Sequence, residues 1–214
     1  MTKGRQTKER IFSVATKEFA QYGYAGARVA RIATKAGVNK ERIYAYFGSK
    51  EGMFVKVWKH TYGLIIEADE SFLALGDEDI PRLGEIVLRR YMTFHEEHEE
   101  FWKILAWENL QNGKHAHLIR GLKGPVHDHL KQLYYRGQER GFYAESVSFE
   151  TFIFVLISVS FFFASNRATM SETLQRDYLD AHVRRSFIDE CSQMLFPWLA
   201  GVKREVTPPV QAER

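Results

Sequence analysis

Cysteine is almost absent. The 214 residues hold one, Cys191, so no internal disulfide can form and no zinc site can be built on thiolates alone. Proline is scarce at five residues, and with only fifteen glycines the composition excludes collagen-like and low-complexity chains. The opening MTKGRQTKERIF carries charge where a secretory leader needs an apolar stretch. The greasiest segment, Phe152 to Ala164, is thirteen residues long and follows closely on Glu150. A membrane span needs about 20 apolar residues, so a buried or interface helix is expected here. Also missing are a Gly-rich phosphate loop, a GxSxG elbow, an HExxH helix and a CxxC pair, so no enzyme and no cofactor are expected. A reducing, cytoplasmic setting follows from the cysteine usage. The chain is 45% hydrophobic and 27% charged, which allows one large soluble domain or two small ones.

Charge is unevenly spread. The first 50 residues hold eleven Lys and Arg against Glu9, Glu18 and Glu41, a net +8, whereas the rest is net −5. A polyanion-seeking end therefore joins a mildly acidic body. All eight histidines fall after residue 59.

Periodicity is helical nearly throughout, which predicts an all-α chain of about nine helices. Ile11, Ala15 and Phe19 form the first apolar stripe, ended by Gly23. A second short helix carries Val29, Ile32, Ala33 and Ala36 and stops at Gly37, placed for a positive φ. Asn39 is a good N-cap for a third helix over Lys40 to Phe47, and Ser49 for a fourth. Amphipathic segments follow at about Leu83 to His98, Glu100 to Leu110, Lys114 to Arg140 with a break near Gly121 to Pro125, Phe149 to Arg167, and Leu174 to Leu199. The ATMSE stretch at 168–172 separates the last two. Residues 1–50 are expected to form a helix-turn-helix domain (the motif itself at about 28–47), 51–200 a helical effector-binding and dimerisation domain, and 201–214 a frayed tail.

Helices two and three with the turn Ala36, Gly37, Val38 have the size of a helix-turn-helix, whose second helix enters the major groove of DNA. Lys40, Glu41, Arg42, Tyr44 and Ala45 should then look outward. Arg42 can grip guanine bidentately and Glu41 can accept from cytosine. Tyr44, Tyr46 and Lys50 can reach phosphates, as can Arg28, and Asn39 beside them is a further DNA-binding candidate. An ordinary αα turn with a solvated basic face fits the same periodicity, and a non-specific nucleoid-type binder would fit the charge.

The stretch EFAQYGYAGARVARIATKAGVNKERIYAYFGSKEGMF resembles the DNA-binding domain of the tetracycline-repressor (TetR/AcrR) family of bacterial transcription regulators. The match rests on Phe19, Gly23, Ile32 with Ala33, the Ala36 to Val38 turn, and Tyr44, Tyr46, Phe47, Ser49, Lys50 and Glu51. The later ENLQNG and SVSFFFASNRATMS resemble the regulatory domain of the RutR branch. The family resemblance implies a homodimer on a palindromic operator in double-stranded DNA, released by a small-molecule effector. Departures are Ala27 where the family often has an N-cap Thr, Glu41 and Arg42 in the recognition helix, and Gly52 in place of a capping-box Glu.

The resemblance also implies dimerisation through the last two long helices, where the apolar stripes Phe152, Leu156, Val159, Phe163 and Phe187, Ile188, Cys191, Leu195, Trp198 lie. On periodicity alone, these stripes could equally be internal core. An effector cavity is expected among Tyr62, Tyr91, Phe94, Phe101, Trp102, Leu105, Trp107, Glu108, Asn109, Phe152 and Asn166, which mix aromatic walls with a few polar groups. His95 and His98 share a spacing that could chelate metal, but they sit in charged stretches and no metal site is expected.

Overall fold

The computed structural model describes residues 3–121 and 124–196, and these are helical with no strand among them. Nine α-helices run in order among the described residues: α1 (Lys3–Gly26), α2 (Val29–Ala36), α3 (Lys40–Phe47), α4 (Lys50–Asp69), α5 (Leu83–Glu97), α6 (Glu99–Leu110), α7 (Gly124–Glu139), α8 (Phe149–Leu174) and α9 (Ala181–Leu195). Short 3-10 turns at Glu70–Ala74, Asp77–Arg82 and Ala116–Ile119 fill the connections.

Local chemistry accounts for the early boundaries. Gly23, with φ 63, bends the end of α1. Gly37 closes α2 in the left-handed conformation at φ 60, where a Cβ would be strained. The Asn39 side chain accepts from the Arg42 amide at 3.0 Å, and Ser49 Oγ from the Gly52 amide at 2.9 Å. Each cap satisfies one of the orphan N–H groups that a helix start leaves.

Buried side chains fall into two clusters. One is built on Ile11, Ala15, Phe19, Ile32, Ile43, Phe47, Phe54 and Trp58, and takes in Ile104 from α6. The other joins Ile65, Leu83, Val87, Tyr91, Phe94, Leu133, Tyr134, Phe149, Phe152 and Leu156. Helix α4 serves both, with Met53 to Trp58 in the first and Ile65 in the second. The boundary expected at residue 50 coincides with the start of α4, and the change from one cluster to the other lies within that helix, between Trp58 and Ile65.

The C-terminal half departs from expectation in two places. Helix α8 does not stop near Arg167. It runs on through 168–172 to Leu174, with the Thr169 and Ser171 hydroxyls donating to the Asn166 and Arg167 carbonyls, and it ends at Gln175 with φ 51. Its 26 residues are long and apolar enough to cross a membrane by length and composition, with a mean hydropathy of 1.6 in its greasiest window; here Phe149, Phe152 and Leu156 pack it into the second cluster. Helix α9 begins only at Ala181, since Asp180 caps it by accepting from the amides of His182 and Val183 at 2.8 and 3.0 Å. Trp198 and the expected tail at 201–214 lie outside the described residues.

Candidate nucleic-acid interface

Helices α2 and α3 bury Ile32, Ala33, Ala36, Ile43 and Phe47 against α1 and α4. What is left facing solvent on α3 is Lys40, Glu41, Arg42, Tyr44 and Ala45, with Tyr44 46% exposed. An open hollow of about 580 Å³, lined by Ala33, Thr34, Gly37, Val38, Asn39 and Arg42, lies where the two helices meet. The structure thus brings a guanidinium, an ammonium, a carboxylate and a phenol onto one face of a capped two-turn helix, the functional groups that can read base edges and hold phosphates.

The start of α2 differs from the expected N-cap at Ala27. Ala27 is buried and the cap position is Arg28, which makes no side-chain cap. Glu18 substitutes for it. This carboxylate, 1% exposed, accepts from the Arg28 amide at 3.1 Å and from Arg31 Nε at 2.6 Å, with Lys35 Nζ at 3.6 Å. A negative charge at the helix start also complements the helix dipole. Sequence reasoning passed over Glu18, yet the signal is present: it lies seven residues after Ile11 and three after Ala15, on the buried face. Arg10 closes the other end of α2, its Nε donating to the Ala36 carbonyl at 2.9 Å.

Two expected phosphate contacts are occupied within the chain. Tyr46 donates its hydroxyl to the Gly4 carbonyl at 3.2 Å, tying α3 to the first turn of α1, and its own carbonyl accepts from Lys56. Lys50 Nζ donates to the Ala25 carbonyl at 3.4 Å and sits 4.8 Å over the Tyr24 ring. Burial there pushes its ammonium below the usual lysine value, with the Glu18 charge acting the other way. Arg28, Lys40, Glu41, Arg42 and Tyr44 remain exposed, while the Asn39 side chain is spent on its cap.

The residues expected around an effector do not converge on one cavity. Tyr91, Phe94 and Phe152 are core residues. Phe101 is core as well and borders a cleft of about 210 Å³ between α1, α4 and α6. Tyr62, Trp102 and Leu105 are half-buried against the core, Asn109 is exposed, and Asn166 spends its amide on the Phe162 carbonyl and Ser165. Trp107 instead reaches α1, donating Nε1 to the Ala20 carbonyl at 3.2 Å. Glu108 is buried against His115, with its carboxylate taking both the His115 amide and Nδ1. Tyr62 and Tyr91 are both raised above the ordinary phenol value, chiefly by burial and secondarily by the Asp69 charge.

The expected dimer stripe is also displaced. Phe152 and Leu156 face the chain's own core, and Ile188 is buried too. The large apolar side chains that α8 and α9 leave open are Phe154 (69% exposed), Val155, Ile157, Phe162 (53%), Leu174 and Met194 (72%). Val159, Phe163, Phe187 and Cys191 line the groove between the two helices, about 460 Å³ in volume, and Leu195 packs half-buried on the core. Burial raises the Cys191 thiol to about 11. The spacing of His95 and His98 is likewise broken by the end of α5: His95 is buried and stacked on Phe101, while His98 is the N-cap of α6. Among the described residues no three His, Cys, Asp or Glu side chains are grouped to hold a metal.

Comparison with known proteins resolves the family. The model for bacterial regulatory proteins of the tetR family matches residues 11–57, and that for the tetracyclin repressor-like C-terminal domain matches residues 85–195. The chain belongs to the TetR family. Among TetR relatives, the HTH-type transcriptional repressor NicS of Pseudomonas putida is 32% identical over 203 residues, 93% of each chain. The HTH-type regulator RutR of Escherichia coli is 42% identical, but over 65 residues, 30% of this chain and 31% of that one. Likeness to NicS thus extends over the whole length, whereas that to RutR is local. The crystal structure of the transcriptional regulator SCO4942 from Streptomyces coelicolor superposes with a TM-score of 0.67 at 24% identity, covering 89% of this chain and 98% of that one, and shares the fold. TetR proteins are transcription regulators that bind DNA operators and typically dimerise.

Proposed function

We propose that the protein is a homodimeric repressor that binds a palindromic operator and leaves it when a small molecule binds the C-terminal domain. The observation that carries this reading is the outward face of α3, where Lys40, Glu41, Arg42 and Tyr44 stand on a helix capped by Asn39 and anchored by Ile43 and Phe47. A second chain would cover Phe154, Ile157, Phe162 and Met194, forming a four-helix seam from α8 and α9 of each subunit. That assignment accounts for the greasy helix without a membrane. Twofold symmetry then puts two recognition helices into successive major grooves about 34–36 Å apart, which requires a palindrome or near-palindrome. The protein works in the cytoplasm, on the nucleoid when bound to DNA, and performs no catalysis.

An effector that prefers a conformation with the two helices wrongly spaced lowers DNA affinity by its differential affinity for the two states, and about 1–3 kcal/mol suffices for a 5- to 150-fold response. The experiment is selection of bound sequences by the purified protein from a random duplex library at physiological salt. Enrichment of a palindrome is expected. Uniform retention of all sequences with a steep salt dependence would instead identify a non-specific binder.

A further inference from the structure

Besides burying Ile104 in the N-terminal cluster, helix α6 and the segment that follows it are fastened to the DNA-binding part of the chain by polar contacts at two places. At the first, Trp107 donates its indole N–H to the Ala20 carbonyl of α1 at 3.2 Å, and its ring lies against Gly23. The approach is close enough that a Cβ at residue 23 would stand 2.8 Å from Trp107 Cδ2. At the second, His115 is wedged between α6 and α4. Its amide and Nδ1 both meet the Glu108 carboxylate of α6, the latter at 3.1 Å. Its Nε2 lies 3.8 Å from Glu51 in the first turn of α4, and its ring packs 4.9 Å from Phe54. Lys114 adds a contact to the same Glu51 at 3.3 Å.

The pairing is buried where it matters. The side chains of Glu108 and His115 are only 2% and 5% exposed, and a carboxylate taken out of water is held by its hydrogen bonds. A buried, hydrogen-bonded pair in a fixed geometry has few ways to slide. The clasp lies outside α2 and α3 and touches none of the side chains that face solvent on the recognition helix.

We infer that Trp107 and His115 are positioning residues that set the angle at which each helix-turn-helix is presented, and so set the half-site spacing the dimer accepts. The inference rests on the operator reading above. Spacing is a demanding criterion, because each added base pair moves a half-site by about 3.4 Å along the duplex and rotates it around the axis. A recognition unit held at two points can tolerate little of that. One that has lost both fastenings keeps only the apolar packing around Ile104 and the continuous helix α4, and it can swing further.

The test uses the full-length protein and duplexes in which the selected half-site is constant and the spacer between half-sites is varied one base pair at a time. Wild type should bind one spacer best and lose about tenfold or more for each step away. Trp107→Leu and His115→Ala should flatten that profile to within a few-fold over at least three spacers while keeping the base preference inside each half-site. His115→Asn, which keeps a donor toward Glu108, should restore much of the wild-type profile. Glu51→Gln, at an exposed position, should flatten it partly, and it decides the matter if the Trp107 and His115 variants melt below the assay temperature. Folded variants with the wild-type spacer profile would overturn the inference, as would loss of base preference together with spacing. A wild-type chain that enriches no half-site at all would overturn the operator reading first, which separates the two failures.

Discussion

Helix α3 and helix α8 both leave a face uncovered, and the two faces are opposite in kind. On α3 every large apolar side chain except Tyr44 is turned inward, and the open face carries Lys40, Glu41 and Arg42. On α8 the inward face holds Phe152 and Leu156, yet the outward face holds Phe154, Ile157 and Phe162. A polar open face beside a +8 segment calls for a hydrated, charged partner. An apolar open face of several large side chains calls for a protein one, since exposed apolar patches of that kind mark interaction surfaces. One chain thus advertises two partners by two different chemistries.

The comparison breaks most severely if the apolar face is not a dimer seam. Phe154→Asp with Phe162→Asp should convert the dimer to a monomer by sedimentation and weaken operator binding by about 10²- to 10⁴-fold, the gain that joining two half-site contacts supplies. A dimer that survives both charges would move the seam elsewhere. Next in size is Glu18→Ala. It strips the Arg28 amide and Arg31 of their buried acceptor and should cost about 2 kcal/mol, or roughly 4–8 °C in Tm for a chain of this size. An unchanged melt would mean that α2 needs no acceptor at its start.

Smaller effects sharpen the polar side of the contrast. Arg42→Ala should relax discrimination at one base pair of each half-site by about 1–3 kcal/mol. Lys40→Ala should weaken all duplexes alike and reduce the salt slope by about one per half-site. Competition titrations over a panel of single-base operator variants at two salt concentrations separate the two patterns, and identical patterns for both variants would refute the division of labour on α3.

The contrast also explains which parts of the structure were legible in the sequence. Around α2 and α3 the signals are local: Gly37, Asn39 and Ser49 each act within three residues, and the expected boundaries of α3 coincide with the observed ones. In α8 they are not. Phe152, Leu156, Phe163 and Phe154, Ile157, Phe162 have equally helical spacings, so periodicity cannot tell which stripe meets the chain's own core. The effector residues were illegible for a related reason. Glu108 looks like a polar group awaiting a ligand until the chain folds back and delivers His115 to it, and no spacing rule announces that. Glu18 was readable, since a carboxylate on an otherwise apolar stripe is expensive to bury unless donors surround it.

The smallest expected effect concerns the polar rim of the apolar face. Arg176, just past the end of α8, grips Glu190 of α9 through two N–H donors at 2.9 Å each, and Ser186 donates to the same carboxylate at 2.6 Å. Together they hold the Glu190 carboxyl at about 2, below the value near 4.3 of an unfolded chain. The folded state therefore binds this proton less readily than the unfolded one, so the contribution is complete above the unfolded value and disappears as pH falls toward 2. Because the pair is exposed, the contribution is small and salt should erase most of it. Glu190→Gln should melt slightly below wild type at pH 6 and low salt, and the gap should close as pH drops from about 4.5 to 2. A gap that persists at pH 2 would show that the substituted amide disturbs packing between α8 and α9 instead, and would shift the weight of that junction from its ionic rim to its apolar groove.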